Sequence, residues 1–378
     1  MSSRTISTIL KHDTKVTSYK MALLRSINDI ALSFPDLGNS AKDVAIPLRV
    51  LAEFWLAYYW PFVDNRNPIL QGYCSKDNGK LRNDMSFRPQ LTALRQEWEN
   101  IFGNSKACDG FFLINEMRIP RKKNLYSHQL LNAYRKAIIA ISQALQMPIK
   151  HAGPGQWSVF PKPLYYKEIE GNIIAVPSTL LTDKCLLIKA DLWKTFQEMS
   201  LWIEALSIHE WSIFTENVQK NVNRGDIYSL LTERLDNRRP LTWERNNIDL
   251  LLIEGIEFVC PWTQQKIRSD TPYDLDHLLP ISIYPINELW NLVPANPKFN
   301  SHIKRDKLPS PKRLEEAKPH IELAYKHYQN SKALSIALQE DTAVRFTIMQ
   351  GVLVPYQLTQ LVTQFIQTVA DFRNLPQF

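Results

Sequence analysis

Asp276 and His277 are neighbours in the string Tyr273-Asp274-Leu275-Asp276-His277-Leu278-Leu279-Pro280, and two asparagines, Asn291 and Asn300, follow them. Those side chains are the kinds that phosphodiester hydrolysis needs. A water must lose a proton near neutral pH, and an imidazole, with an ordinary pKa of about 6.5, is the natural base. Charge on the phosphate and on the leaving oxygen must be neutralised, which a divalent cation does. Mg²⁺ takes oxygen ligands, few of them from protein, and keeps several waters. One carboxylate, one amide oxygen and one nearby imidazole therefore form a sufficient set, and Asp276, Asn300 and His277 supply it.

The elements that must position this set read as a strand over 273–278, a returning strand over 292–294 and a short helix over 296–304. The helix would lay Asn300 over the hairpin. Adjacent side chains on a regular strand point to opposite faces. Asp276 and His277 can thus share a site only where the strand ends or twists, and Pro280 is consistent with an ending.

The Asp276-His277 pair, the Asn291-Leu292-Val293-Pro294 string, Asn300 and the closing Lys304-Arg305-Asp306-Lys307-Leu308-Pro309-Ser310 string come in a telling order. Over 258–310 the chain resembles the HNH endonucleases of the ββα-metal finger superfamily, and is similar to the HNH domain of Cas9-type and other bacterial defence nucleases. The resemblance implies that His277 is the general base, that Asn291 orients it from the loop, and that Asp276 and Asn300 bind one Mg²⁺ or Mn²⁺. It also implies DNA as substrate and a role in anti-phage defence, with other defence proteins as partners. In a rival reading, the chain is a nucleic-acid-binding subunit whose finger docks or awaits activation by partners. One residue more than the related spacing separates Asn300 from Lys304, which makes His302 the alternative third ligand. Residues two apart on a helix diverge by about 200°, so Asn300 and His302 would not ligate one ion together. Many relatives brace the finger with zinc on two Cys pairs. Here Cys260 remains of the first pair, and Asn296 and Phe299 occupy the second. No structural zinc is expected, and Trp262, Trp290 and Phe299 are expected to brace the finger by packing.

Lys298, Lys304, Arg305, Lys307, Lys312 and Arg313 crowd one stretch with only Asp306 opposing, and are expected to track a phosphate backbone. Weaker basic runs lie at Arg118, Arg121, Lys122 and Lys123, in a loop over 117–123, and at Arg238, Arg239 and Arg245.

Around this segment the periodicity is helical. Apolar residues at three- and four-residue spacing predict helices over 18–33, 48–60, 87–102 and 125–145. Gly171-Asn172 is read as the turn of a small β-hairpin joining 164–170 to 173–176. A helix over 191–215 carries Trp193, Trp202 and Trp211, nine residues apart, and is expected to be buried all round. Asn237–Pro240 reads as a break. The fold class is α+β, a predominantly helical body with an embedded ββα-metal HNH finger and a small hairpin. The expected divisions are a helical region 1–160, the hairpin and Trp-rich helix 161–240, the finger 241–310 and C-terminal helices 311–378.

Composition closes off other classes. The 378 residues are 44% hydrophobic and 22% charged, which excludes disorder of the whole chain. No G-x-G-x-x-G or P-loop pattern is present. The four cysteines are scattered, as in a reduced cytoplasmic protein rather than a disulfide framework. The most apolar stretch, 44–63, is interrupted by Arg49, Glu53 and Pro61, so no membrane span is expected. A net charge of +7 suits a polyanion partner.

Overall fold

The computed structural model describes residues 2–73, 75–77, 80–82, 84–153, 158–233, 241–283, 287–346 and 354–378. Helix makes up 61% of it and the sheets are small, an α+β arrangement in which helices dominate. The chain divides into two compact units: 1–117 with 122–234, and 118–121 with 235–378. Each has its own apolar core. The break expected at 237–240 lies outside the described residues.

The first unit is built around α1 (Tyr19–Ser33), whose residues are buried on nearly every side. Arg25, Ser26 and Asn28 are buried along with its apolar residues, so the whole helix lies in the core. It packs against α2 (Leu48–Tyr59), α5 (Ala190–Glu198) and α6 (Ser200–Val218), while α3 (Arg88–Phe102) packs on α4 (His128–Ala144). α1 to α4 fall where the three-and-four spacing puts them.

The sheet of this unit has the order β2 (Leu164–Tyr165), β4 (Lys184–Ile188), β1 (Asp43–Pro47), β3 (Ile173–Ala175). β1 runs parallel to β3 and antiparallel to β4. The hairpin expected at Gly171-Asn172 is therefore not formed: its two arms lie at opposite edges, Leu164 beside Cys185 and Ile173 beside Asp43. The reason is burial. Val44, Ala45 and Ile46 are fully buried, and pairing them with the apolar β4 covers far more surface than two short half-exposed arms could.

The helix expected over 191–215 is two helices, broken at Met199. Trp193 and Trp211 are buried, but Trp202 is 70% exposed, so the expectation of burial all round fails. Nine residues along a helix is half a turn out of phase. Trp211 faces inward, where its indole N–H reaches Gln71 and its ring meets Tyr59, which leaves Trp202 outside. The basic loop expected over 117–123 contains a helical turn, Pro120–Lys123, and Lys122 is buried beside Glu116.

The second unit contains α7 (Thr242–Ile253), the hairpin of β5 (Phe258–Val259) and β6 (Lys266–Ile267), and the hairpin of β7 (Asp274–His277) and β8 (Leu292–Ala295). It closes with α8 (Pro311–Asn330), α9 (Lys332–Ala343) and α10 (Pro355–Arg373). Two fully buried tyrosines of α8 fix the second hairpin to the helices. Tyr325 donates its hydroxyl to the Trp290 carbonyl and Tyr328 donates to Leu292 O, at 2.8 Å for the latter. A buried hydroxyl must find a partner, so α8 can pack only where those carbonyls are. No helix among the described residues is long and apolar enough to cross a membrane.

Candidate active site

β7 and β8 pair antiparallel with Asp274 opposite Ala295, Leu275 opposite Pro294, Asp276 opposite Val293 and His277 opposite Leu292. Strand alternation puts Asp274 and Asp276 on one face. After β8 the chain turns at Asn296, whose side chain caps the helical turn Pro297–Phe299. That turn widens into a π-helical turn over Asn300–Lys304, closed by the Arg305 N–H on Asn300 O. This is how the chain accommodates its extra residue between Asn300 and Lys304. A π-turn swallows one residue and often marks a functional position. The result is two parallel rungs to the strand. Asn300 Nδ2 donates to Asp274 Oδ2 at 3.2 Å, and Lys304 Nζ donates to Asp276 Oδ1 at 2.8 Å.

Asp276 and Lys304 are 3% and 1% exposed. The other oxygen of Asp276 accepts the Trp262 indole N–H at 2.8 Å, and the Lys304 ammonium also donates to the His277 carbonyl at 2.7 Å. Both oxygens of Asp276 thus already carry a donor. Lys304, expected to track a phosphate backbone, does not: it is buried as the counter-charge of Asp276. A burial this deep is tolerated for an ammonium only with such pairing. Lys298, Arg305, Lys312 and Arg313 are exposed and Lys307 is half-buried. Arg313 donates to Trp262 O and lies over the Phe299 ring. Of the weaker basic runs, Arg121 is paired with Asp341 and Arg245 donates to Tyr273 O. Arg238 and Arg239 lie outside the described residues. His302, the alternative ligand, is exposed in the π-turn and makes no bond to β7 among the described residues.

β7 ends at His277, and Asn291 makes it end there. Its backbone carbonyl takes Leu278 N–H, its side-chain oxygen takes Leu279 N–H at 2.7 Å, and its amide donates to Leu279 O at 3.0 Å. Asn291 therefore shapes the turn after His277 rather than touching the imidazole. The residue that touches it is Asn287, whose side-chain oxygen lies 2.7 Å from His277 Nε2. No spacing pattern singles out Asn287. A lone loop asparagine carries no signal until the fold brings it to a ring nitrogen. Burial lowers the pKa of His277 below its ordinary value. The bond to Asn287 and the charge of Asp276 oppose that shift, and the Lys304 charge adds to it. The ring is held neutral near pH 7, the form that can accept a proton.

The join between β5–β6 and the helical turn is hydrogen-bonded as well as packed. Asn296 N–H donates to Cys260 Sγ at 3.2 Å, and Asn296 Nδ2 donates to Gln265. Trp262 and Phe299 both pack on Phe378, and Trp290 packs on Phe346 and Phe365.

Among the described residues no three His, Cys, Asp or Glu side chains form a metal-holding group. The donor chemistry nonetheless fits a hard divalent cation. Asp274, Asp276 and Asn300 offer oxygens on the helix-facing side of β7, and the ammonium lodged against Asp276 shows that this place stabilises positive charge. Asp274 Oδ1 and Asn300 Oδ1 carry no donor among the described residues. Asp276 would have to share an oxygen already bonded.

Residues 260–310 match the family model described as HNH endonuclease, so the chain carries an HNH domain, the domain of a nuclease and hence of a hydrolase. Residues 2–231 match the family model described as domain of unknown function DUF8808. That match spans more than half of the chain, and the chain belongs to this family. Comparison with the curated proteins and with the solved structures returned no match.

Proposed function

We propose that this chain is a metal-dependent endonuclease that hydrolyses phosphodiester bonds of DNA in the cytoplasm, in defence against phage. Its β7–β8 hairpin and the helical turn after it serve as a ββα-metal finger. The observation that carries the reading is an imidazole held by its Nε2 at the end of β7, the strand whose Asp274 and Asp276 bond to the helical turn that follows β8. The Mg²⁺ or Mn²⁺ would be held by Asn300 with Asp276, and with Asp274 beside them. When bound, it would neutralise charge on the phosphate and the leaving oxygen. The rest falls to the chain. His277 takes a proton from water, the water oxygen bonds to phosphorus, and the bond from phosphorus to the leaving sugar oxygen breaks. That oxygen then takes a proton from solvent. Asn291 keeps the turn after His277 closed, and Lys304 balances the charge of Asp276 when no other cation is near. One such site cuts one strand. The defence role rests on the resemblance to bacterial defence nucleases.

Supercoiled plasmid incubated with the full chain and Mg²⁺ should become nicked, and excess chelator should stop the conversion. Cleavage that survives chelation would overturn the metal requirement. Inertness toward DNA with either Mg²⁺ or Mn²⁺ would overturn the nuclease reading.

Exposed Lys298, Arg305 and Lys312 flank the site and are the cations free to meet phosphates. Neutralising all three should flatten the log–log salt dependence of DNA binding by about 0.9 per lost contact. An unchanged slope, measured by fluorescence anisotropy across a salt series, would remove them from the interface.

A further inference from the structure

We infer that Asn287 is a positioning residue for His277, and that it selects the imidazole tautomer whose free nitrogen is Nδ1. This rests on the nuclease reading above and names a further part of that site.

The inference starts from donor and acceptor chemistry. A side-chain amide oxygen only accepts hydrogen bonds. With that oxygen 2.7 Å from Nε2, the ring must carry its proton on Nε2. A neutral imidazole holds a single N–H, so Nδ1 is left with its lone pair. The nitrogen available to take a proton from water is therefore decided by Asn287. Were the amide turned over, its N–H groups would face the ring. Nε2 would then have to accept, and the proton would move to Nδ1 and block it.

The selection is useful only if Asn287 is held in place, and the four residues that follow it, 288–291, are each anchored. Glu288 pairs with Arg345 at 3.1 Å, both side chains buried, and takes the Trp290 indole N–H. Leu289 N–H donates at 2.7 Å to Asp341, a fully buried carboxylate of α9 that also holds Arg121. Trp290 O accepts from Tyr325, and Asn291 is doubly bonded to Leu279. Moving the Asn287 backbone away from the ring would disturb the buried polar pairs of residues 288–291, each a substantial loss. These partners fix residues 288–291, and Asn287, the residue just before them, faces the imidazole. Groups that orient a reacting histidine through its second nitrogen are a general device.

The test uses the full chain labelled with ¹⁵N-histidine, with His277 assigned by the signals lost in His277→Gln. At neutral pH the wild type should show Nε2 protonated and Nδ1 bare. In Asn287→Ala the two nitrogens should move toward averaged values as both tautomers become populated. Single-turnover cleavage should fall about 10- to 100-fold, with the DNA concentration for half-saturation unchanged. Asn287→Asp still offers an accepting oxygen, so it should keep the tautomer and recover most of the rate. A wild-type ring protonated on Nδ1 would overturn the inference. So would an Asn287→Ala protein with unaltered ring signals, or equal rates for the Ala and Asp variants. A correct wild-type tautomer in a chain that cleaves no DNA would instead overturn the nuclease reading, because the ring signals do not depend on turnover.

Discussion

His277→Ala is expected to slow strand cleavage by about 100- to 10,000-fold, the range that a positioned general base contributes. Binding of DNA should change little, because the exposed cations around the site remain. The size follows from what is lost. His277 is the imidazole at the end of β7, and the groups bonded around Asp274 and Asp276 are carboxylates, an amide, an ammonium and an indole N–H that is no base. An ammonium has no acceptor, and an amide is too weak a base. Removing the ring also takes from Asn287 its bond to Nε2, at a cost of about 1–3 kcal/mol if water does not replace it. The variant should therefore be compared at a temperature where its circular dichroism matches the wild type. Single-turnover nicking with saturating protein isolates the chemical step. A variant that nicks within a factor of a few of the wild type would show that the base lies elsewhere.

How much of this could be read in advance depends on whether the signal is local. Helices such as Tyr19–Ser33 and Leu48–Tyr59 follow from spacing within one turn, and the structure keeps them. The sheet of the first unit could not be read that way. β1 pairs with strands more than a hundred residues later, and nothing near Asp43 announces Ile173. Gly171-Asn172 is a sound turn signal that lost to burial of the apolar strands. At the candidate site, a string of residues in order singles out Asp276, His277, Asn291 and Asn300. No such string singles out Asn287 or Asp274, since each draws notice only through a partner that the fold supplies. Lys304 misled for a physical reason. A basic run predicts an exposed face, and a single member can still turn inward when a buried carboxylate waits one rung up the strand. The same residue shows why the extra position in the 300–304 segment is harmless: the π-turn returns Lys304 to Asp276.

The ion pair between Lys304 and Asp276 should make the second unit unusually sensitive to the loss of one partner. Both side chains are buried, so Lys304→Met leaves a carboxylate with one hydrogen bond, to Trp262, and no counter-charge. Breaking a buried pair in this way costs about 3–5 kcal/mol. For a unit of this size that corresponds to a fall in melting temperature on the order of 10 °C. If Lys304 instead served a phosphate, its loss would flatten the salt dependence of DNA binding and barely touch stability. The two roles thus predict opposite observables. Asp276→Asn alone should also destabilise, by stranding the ammonium. The double variant Lys304→Met with Asp276→Asn should recover much of the loss, because no unpaired charge then remains in the apolar surroundings. Mg²⁺ adds a further arm. A cation that binds the folded chain against Asp276 stabilises it by mass action. Adding Mg²⁺ should therefore raise the melting temperature of Lys304→Met more than that of the double variant. Equal responses would mean that Asp276 does not take part in holding the cation, and would leave Asp274 and Asn300 as its ligands. A Lys304→Met protein as stable as the wild type would mean that the pair does not hold the hairpin and the π-turn together.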